Sequence, residues 1–308
     1  MKEGIEVTDK QKRLHLLHSR LCNELSYSSF PNIFEMPCAI IKGEPLSALA
    51  YMKTGQRICT DIDILIPRKQ LNDVKKMLFA SGFKQQTINR ADEIVMLAMS
   101  HQTPSFYREI PPIGLTKIDL NFDMFWGEYE GKRIDIEEFL SDTIEMEIYG
   151  VKIKTLTPLK TMIQVILHHY KDMNSIFLLA TRKSIKYEMF KDIYYLLKNN
   201  LNSIVLEKLY EISAEYDIIP YVFYVLYYTG QIFDDKFLEP YIEAFRTPEG
   251  EAFLNCYGLC VKERKEWKCD FKTRLESDNL YELIKDDLTE RDREKIAINK
   301  RIFMGVIE

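Results

Sequence analysis

The sequence predicts an α+β protein whose first half is a mixed sheet with flanking helices and whose second half is mainly helical. Before residue 155, short apolar segments with the alternation of strands occur between amphipathic helical segments. After Pro158, apolar residues recur at helical spacing, as in "PLKTMIQVILHHYKDM" and "IIPYVFYVLYYTGQIF". We therefore divide the chain into an α/β domain with an N-terminal helix, residues 1–155, and a helical domain, residues 156–308.

The elements of the first half follow from local signals. Apolar spacing predicts a helix over residues 8–25, and "CAIIKG" reads as a strand that ends at Gly43. Pro45 then marks the first turn of a helix, "PLSALAYM", and Pro67 stops the strand "DIDILIP". A helix, "KQLNDVKKMLFASGF", is followed by the predicted strands "EIVMLAMSH", "SFYREI" and "LTKIDLNFDMFW". A hairpin, "TIEMEIYGVKIKTL", turns at Tyr149-Gly150.

Composition narrows the class of protein and the partners. The 308 residues are 46% hydrophobic and 29% charged, which is typical of a globular chain, and the net charge of -5 makes a nucleic-acid partner less expected. The chain lacks an apolar run of about 18 residues, and its start lacks a signal-peptide core, so we expect a cytoplasmic protein without a membrane partner. Six scattered cysteines fit reduced thiols in that compartment.

Two carboxylates share one apolar strand in "TDIDILIP". Side chains alternate between the faces of a strand, so Asp61 and Asp63 lie on one face while Ile62 and Ile64 lie on the other. Two carboxylates about 7 Å apart on one face repel each other unless a cation lies between them. Mg²⁺ prefers oxygen ligands and commonly binds one or two carboxylates together with substrate phosphates. A strand end that emerges into solvent is the simpler alternative.

The surroundings of this strand favour the metal site. Upstream, "IIKGEPLSALAY" reads as a strand, a glycine turn and a helix whose first amides can hold a phosphate. Lys42 and Arg57 flank the Asp pair, where cations would neutralise phosphate charge. Downstream, one face of the strand "KIDLNFDMFW" carries Lys117, Asp119, Asn121 and Asp123. A third carboxylate on a neighbouring strand would complete a two-metal site.

These residues resemble the signature of the DNA polymerase β-like nucleotidyltransferase superfamily, which has a strand–Gly–helix turn, D-x-D on a strand and a third Asp on a later strand. More narrowly, "KGEPLSALAY…R…DIDILI" is similar to an uncharacterised bacterial nucleotidyltransferase branch with a Lys-Gly, Tyr, Arg and D-x-D-x-hydrophobic pattern. The likeness continues through "KIDLNFDMFW", "TPLKTMIQVILHHYKD" and "KDIYYLL", and it covers residues 40–197.

The resemblance implies a polymerase β-like core and a role for each matching residue. Asp61 and Asp63 would bind the metals and the NTP phosphates, and Asp119 would complete the nucleophile-side metal and help to deprotonate the acceptor hydroxyl. The implied cofactor is Mg²⁺, with Mn²⁺ as the alternative. The nucleotide-binding residues that the resemblance implies are Lys42, Gly43, Ser47, Tyr51 and Arg57.

Two positions depart from the family pattern. The superfamily usually has Gly or Ser after the turn glycine, where this chain has Glu44, and Ser47 lies three residues further on. In the narrower branch a His commonly follows two residues after the third acid, where this chain has Asn121. Either change would alter the acceptor chemistry or reduce the activity.

The leading hypothesis is a nucleotidyltransferase that moves a nucleoside monophosphate from an NTP, with ATP favoured, to an unidentified hydroxyl of a small-molecule or protein acceptor. Glu44 and Asn121 favour an alternative, a non-catalytic nucleotide-binding or partner-binding protein on the same fold. A phosphatase of the HAD class would need Thr or Val where Leu65 stands. A glycosyltransferase would need a longer parallel α/β region before D-x-D than the chain provides.

Overall fold

A computed structural model describes residues 9–29, 35–111, 114–125, 133–182 and 184–304. These residues form two compact units. The first unit draws on residues 1–87, 104–122 and 136–157, and the second on residues 88–103, 123–135 and 158–308. The chain therefore passes between the units several times before residue 158.

The first unit contains a sheet and four helices among its described residues. Its helices are α1 (Asp9–Ser28), α2 (Gly43–Tyr51), α3 (Leu71–Ala80) and the short α5 (Ile136–Phe139). Its strands are β1 (Ala39–Ile41), β2 (Ile62–Leu65), β3 (Lys84–Gln85), β4 (Phe106–Ile110), β5 (Gly114–Asn121), β6 (Ile144–Ile148) and β7 (Val151–Thr155).

The seven strands form one mixed sheet in the order β3-β4-β5-β2-β1-β7-β6. The pairs β2–β5 and β1–β7 are parallel, and the other neighbouring pairs are antiparallel. The parallel register places Asp63 opposite Asp119 and Ile62 opposite Ile118. The predicted mixed sheet with flanking helices is confirmed, and its central strands carry the acidic motif.

Alternation along the central strands divides the sheet into an apolar face and a polar face. Ile40, Ile62 and Ile118 are buried on the apolar face, where α3 contributes Val74 and Leu78 to the same cluster. Full burial of each such aliphatic side chain contributes about 1.5–3 kcal/mol. This packing fixes which face each strand presents, because a slip of one residue would move every side chain to the other face.

The predicted hairpin and one predicted strand have different outcomes. The hairpin is confirmed: β6 and β7 are antiparallel, and the turn residues Tyr149 and Gly150 have φ of 53° and 77°. The predicted strand "EIVMLAMSH" is wrong, because that segment is the helix α4 (Arg90–Met99). Asn89 caps this helix by accepting from the amide of Asp92. A short apolar run does not by itself distinguish helix from strand.

The second unit is helical among its described residues, apart from one small hairpin. Besides α4, its helices are α6 (Pro158–Asn174), α7 (Ile176–Thr181), α8 (Tyr187–Asn199), α9 (Leu206–Glu215), α10 (Ile219–Phe233), α11 (Glu239–Phe245), α12 (Pro248–Leu254), α13 (Phe271–Glu276), α14 (Leu280–Ile284) and α15 (Glu290–Asn299). A π-helical turn, Lys300–Met304, follows α15. The hairpin consists of β8 (Cys256–Tyr257) and β9 (Lys265–Glu266).

Aromatic side chains fill the centre of the second unit. The helix α10 lies against α6, α8, α11 and α12. The rings of Tyr170 and Tyr221 are 4.4 Å apart between centroids, and Tyr228 accepts a hydrogen bond of 2.8 Å from Arg274 Nη2. α4 joins this unit through an ion pair between Asp92 and Arg301 at 2.9 Å, and such a contact between distant parts of the chain is not visible in local sequence.

Two further expectations concern membranes and cysteines. Within the described ranges, no helix combines the length and the apolar character that crossing a membrane requires. All six cysteines carry free thiols, as expected. The C-terminal segment Cys256, Cys260 and Cys269 accordingly contains no disulfide.

A buried carboxylate fixes the start of α2 from the inside of the first unit. Glu44 is 1% exposed. Its Oε1 accepts from Asn23 Nδ2 at 2.9 Å, and its Oε2 accepts from the backbone amide of Gly55 at 2.7 Å. A buried charge is tolerated when hydrogen bonds satisfy it. Glu44 therefore ties α2 to α1 and to the loop that leads to β2.

We expect Glu44→Ala to lower the free energy of unfolding by about 2–4 kcal/mol, because it leaves the buried Asn23 amide and the Gly55 amide unpaired. Urea denaturation followed by circular dichroism measures this change. The control is Glu145→Ala on β6, an exposed carboxylate in the same sheet, for which a change within about 0.5 kcal/mol is expected. Equal effects of the two substitutions would contradict the structural role of Glu44.

Candidate active site

The three predicted acidic residues lie on the polar face of the sheet, on its two central parallel strands. Asp63 and Asp119 are register partners in β2 and β5. Asp61 directly precedes β2, and its carboxylate shares a lysine with that of Asp119. The strands β2 and β5 are hydrogen-bonded neighbours in the sheet. Side chains of the same parity on the two strands therefore lie on one face. The structure thus brings together the carboxylates that the sequence placed far apart.

Two lysines neutralise part of this charge. Lys117 Nζ is 2.7 Å from Asp119 Oδ2 and 3.4 Å from Asp61 Oδ2. Lys42 Nζ is 3.2 Å from Asp63 Oδ1. Each carboxylate therefore has an ammonium group within ion-pair distance. Like charges on one face are tolerated because opposite charges lie among them.

The pKa values of Asp61 and Lys117 are both raised, for different reasons. Burial first, and then the negative charge of Asp63, raise the pKa of the Asp61 carboxyl above its ordinary value, although Lys117 opposes the shift. Burial alone would lower the pKa of Lys117, but the charge of Asp119 and its hydrogen bond raise that pKa overall. The charged form of Lys117 is therefore favoured, whereas the ionised form of Asp61 is disfavoured.

The turn before α2 has an unusual backbone. Lys42 has φ 58° and ψ -144°, and Gly43 has φ 44°. A non-glycine residue in such a region costs about 1–3 kcal/mol, and strain of this kind is concentrated at functional sites. The turn leads into α2, whose first amides have no side-chain cap from Lys42. A helix start of this kind can hold a phosphate. Lys42 thus combines a strained backbone with a cation on Asp63.

Two polar neighbours complete the carboxylate group. Asn121 Nδ2 donates to Asp63 Oδ1 at 3.0 Å, and Asn121 stands where the resemblance noted above implies His. Ser105 Oγ donates to Asp119 Oδ1. Sequence reasoning missed Ser105, which directly precedes β4 and falls opposite Asp119 when the β4–β5 register is continued. Its only sequence signal is its place before a strand that pairs with "KIDLNFD", which requires the sheet order to be known.

The other predicted nucleotide-binding residues lie on α2 and in the loop that follows it. Ser47 is buried, and its hydroxyl donates to the carbonyl of Lys53 at 2.9 Å and accepts from the amide of Gln56 at 3.0 Å. Tyr51 ends α2 and is therefore about 12 Å along the helix axis from the glycine turn. Arg57 is half-buried in the loop that leads to β2. The structure gives Ser47 a role in holding this loop, and nucleotide contacts of these side chains stay predictions.

The residue types fit a divalent metal ion such as Mg²⁺. Asp61, Asp63 and Asp119 supply hard carboxylate oxygens. Asn121 adds a carbonyl oxygen, Oδ1, that is buried and has no hydrogen-bond partner in the described part of the chain. In that same part of the chain, no three His, Cys, Asp or Glu side chains are already arranged to hold a metal. The ammonium of Lys117 lies between two of the candidate ligands.

A cavity lies beside Asp61 within the first unit. It measures about 340 Å³, within the range of small-molecule sites. Its walls come from α1, through His15 and His18 among others, from the segment before β2 and from the start of β5. The exposed side chains of Ile58 and Leu115 contribute to its lining. The cavity lining thus combines the Asp61 carboxylate with imidazole, hydroxyl and apolar side chains.

A mixed sheet that presents carboxylates from two central parallel strands beside a strand–glycine–helix turn defines the nucleotidyltransferase class of fold. The chain matches a family described as "Uncharacterised nucleotidyltransferase" over residues 32–234, about two thirds of its length. The chain belongs to this family. The matched range includes the turn, both acidic strands and the helices from α2 to α10.

Other known proteins add little to this assignment. No curated protein matches the chain. Among solved structures, the chain is similar to an antigenic nucleotidyltransferase-like protein from Paracoccidioides brasiliensis, with 17% sequence identity. That similarity covers 61% of this chain and 76% of the other, with a TM-score of 0.35.

We expect opposite effects on stability from two neutralising substitutions in the site. Asp61→Asn should leave the metal-free protein at least as stable as the wild type, because it removes a partly buried charge whose pKa burial and the neighbouring Asp63 raise. Asp119→Asn should lower the free energy of unfolding by about 1–3 kcal/mol, because Asp119 is bound by both Ser105 and Lys117. Urea denaturation in the presence of a chelator measures both. Destabilisation by Asp61→Asn as large as that by Asp119→Asn would contradict this description.

The strained turn gives a second expectation. Lys42→Gly and Lys42→Ala both remove the ammonium group, but only alanine keeps a Cβ at φ 58°. The glycine variant should therefore be more stable than the alanine variant by about 1 kcal/mol, the reverse of the usual order. The same pair of substitutions at Lys152 in β7 should show the usual order, with alanine more stable. Thermal and urea denaturation of the four variants compare these differences.

Proposed function

We propose that the protein is a Mg²⁺-dependent nucleotidyltransferase that moves a nucleoside monophosphate from an NTP, with ATP favoured, to the hydroxyl of an acceptor. The observation that carries this proposal is the meeting of Asp61, Asp63 and Asp119 on one face beside the Lys42–Gly43 turn. Membership of a nucleotidyltransferase family supports it.

The reaction replaces a phosphoanhydride bond of the NTP with a phosphoester bond to the acceptor. The acceptor hydroxyl oxygen forms a bond to the α-phosphorus, the bond from that phosphorus to the oxygen bridging the β-phosphate breaks, and pyrophosphate leaves with that bonding pair. The hydroxyl proton passes to a carboxylate, for which we propose Asp119. Such chemistry depends on positioning and on neutralising charge rather than on a covalent intermediate with the protein.

The residues divide into a phosphate side and an acceptor side. We propose that Lys42 and the first amides of α2 bind the triphosphate, because a cation and a helix start both favour negative charge. Asp61, Asp63 and Asp119 would hold two metal ions, which when bound lower the charge of the reacting phosphate and activate the hydroxyl. Ser105 would orient Asp119 through its hydrogen bond.

The cavity beside Asp61 favours a small acceptor molecule over a protein segment. Its volume of about 340 Å³ fits a compact ligand. Its lining includes the Asp61 carboxylate, the His15 and His18 imidazoles and several hydroxyl groups, so we propose an acceptor rich in hydroxyl groups. A protein hydroxyl stays the second choice for the acceptor.

A non-catalytic nucleotide-binding or partner-binding protein on the same fold is the alternative. Its supporting observation is that both carboxylate oxygens of Asp119 are engaged, one by Ser105 and one by Lys117. Glu44 no longer favours this alternative, because its carboxylate faces Asn23 and Gly55 in the interior.

Incubation with Mg²⁺ or Mn²⁺, α-labelled NTPs and a panel of small hydroxylated acceptors and proteins tests the proposal. We expect pyrophosphate release and label transfer with the wild type. Asp61→Asn and Asp63→Asn should each lower the rate by roughly a hundredfold or more, because several kcal/mol of charge stabilisation are lost. Asp73→Asn, an exposed carboxylate on α3, is the matched control and should retain the wild-type rate.

Three outcomes would count against the proposed nucleotidyltransferase function or its site. Label transfer that survives both Asp61→Asn and Asp63→Asn would overturn the assignment of the site. Tight NTP binding without pyrophosphate release under any condition would favour the non-catalytic alternative. Release of free phosphate from phosphomonoesters would instead indicate a different class of enzyme.

A further inference from the structure

Lys117 occupies an unusual place for a positive charge in a site of this kind. Its ammonium contacts Asp119 Oδ2 at 2.7 Å and Asp61 Oδ2 at 3.4 Å. The Asp119 side chain is 6% exposed, and those of Asp61 and Lys117 are about one third exposed. The contact with Asp119 is therefore a largely desolvated, charge-assisted hydrogen bond rather than a surface ion pair.

The fold holds this ammonium among the carboxylates. Lys117 and Asp119 have the same parity on β5, so both side chains lie on the polar face. Tyr107 on β4 is the register partner of Lys117 and stands beside it on that face. Packing of Ile118 in the core fixes this orientation, because turning Lys117 away would shift the register of the strand.

Lys117 and a metal ion would compete for the same oxygens. Asp61 and Asp119 are both among the carboxylates that the proposed function assigns to the two metal ions, and Lys117 binds one oxygen of each. A divalent cation within a few ångströms of an ammonium group is repelled strongly where water is largely excluded. Lys42, by contrast, contacts Asp63 at 3.2 Å.

We propose that in the nucleotide-free protein the ammonium group of Lys117 takes the place of a metal ion between Asp61 and Asp119. It thereby limits the binding of divalent ions to these two carboxylates. The inference rests on the proposed function, since it concerns the same carboxylates. It assigns Lys117 the role of a built-in cation that balances Asp61 and Asp119 until a metal ion displaces it. The metal requirement of the chain is then set by a residue of β5 and not by the carboxylates alone.

Direct measurement of Mn²⁺ binding tests this role without any assay of activity. Free Mn²⁺ is followed by electron paramagnetic resonance during titration of the full chain, in the absence of nucleotide. We expect the wild type to bind at most one Mn²⁺ at the site, and Lys117→Met to bind Mn²⁺ at least tenfold more tightly, a change of about 1.4 kcal/mol. Lys117→Arg, which keeps the charge, should bind no more tightly than the wild type.

Lys152→Met is the matched control, because it removes the same charge from an exposed position on the same sheet. It should leave Mn²⁺ binding unchanged. A second readout is thermal denaturation: with chelator Lys117→Met should melt below the wild type, and Mn²⁺ should raise its melting temperature more than that of the wild type. Lys117→Gln serves if the methionine variant does not fold.

The outcomes separate this inference from the proposed function. Equal Mn²⁺ affinity of folded Lys117→Met, or Lys117→Gln, and the wild type would overturn the role of Lys117, whatever the activity. Pyrophosphate release by the wild type that depends on Asp61 would at the same time leave the proposed function standing. Tight binding of two Mn²⁺ ions by the nucleotide-free wild type would also overturn the inference.

Discussion

The parallel pairing of β2 with β5 is the interaction on which the candidate site depends. This register sets Asp63 opposite Asp119 and sets Ile62 opposite Ile118 in the core. The apolar pairs hold the two strands in register, and this register fixes the position of Asp63 relative to Asp119. A site built on central strands in this way needs no long loop to position its carboxylates.

The site is a balance between charge and burial. Asp61, Asp63 and Asp119 share one face with Lys42 and Lys117. Neither the three carboxylates nor the two ammonium groups would be stable on this face without the other set, because like charges close together raise each other's free energy. The strained backbone at Lys42 adds a further cost. Costs of this kind are typical of functional sites, where optimal stability conflicts with activity.

Much of the site followed from the sequence because it depends on short-range rules. Alternation along a strand is enough to place Asp61 with Asp63 and Lys117 with Asp119, and the turn at Gly43 follows from its neighbours. The contacts of Glu44 with Asn23 and Gly55, and of Ser105 with Asp119, join segments that only the folded chain brings together. The sequence wrongly predicts a strand at α4 for the same reason. Its short apolar run fits a helix as well as a strand, and Arg301, which pairs with Asp92 of this helix, lies far away in sequence.

The path of the chain between the two units has a consequence for how such a protein can change. Residues 88–103 and 123–135 group with the second unit, although β4 and β5 of the first unit lie between them in sequence. No single break in the gene divides the chain into two complete modules. A recombination event near residue 158 would separate residues 88–103 and 123–135 from the remainder of the second unit. An exchange of chain segments at any one point would therefore not transfer either unit complete.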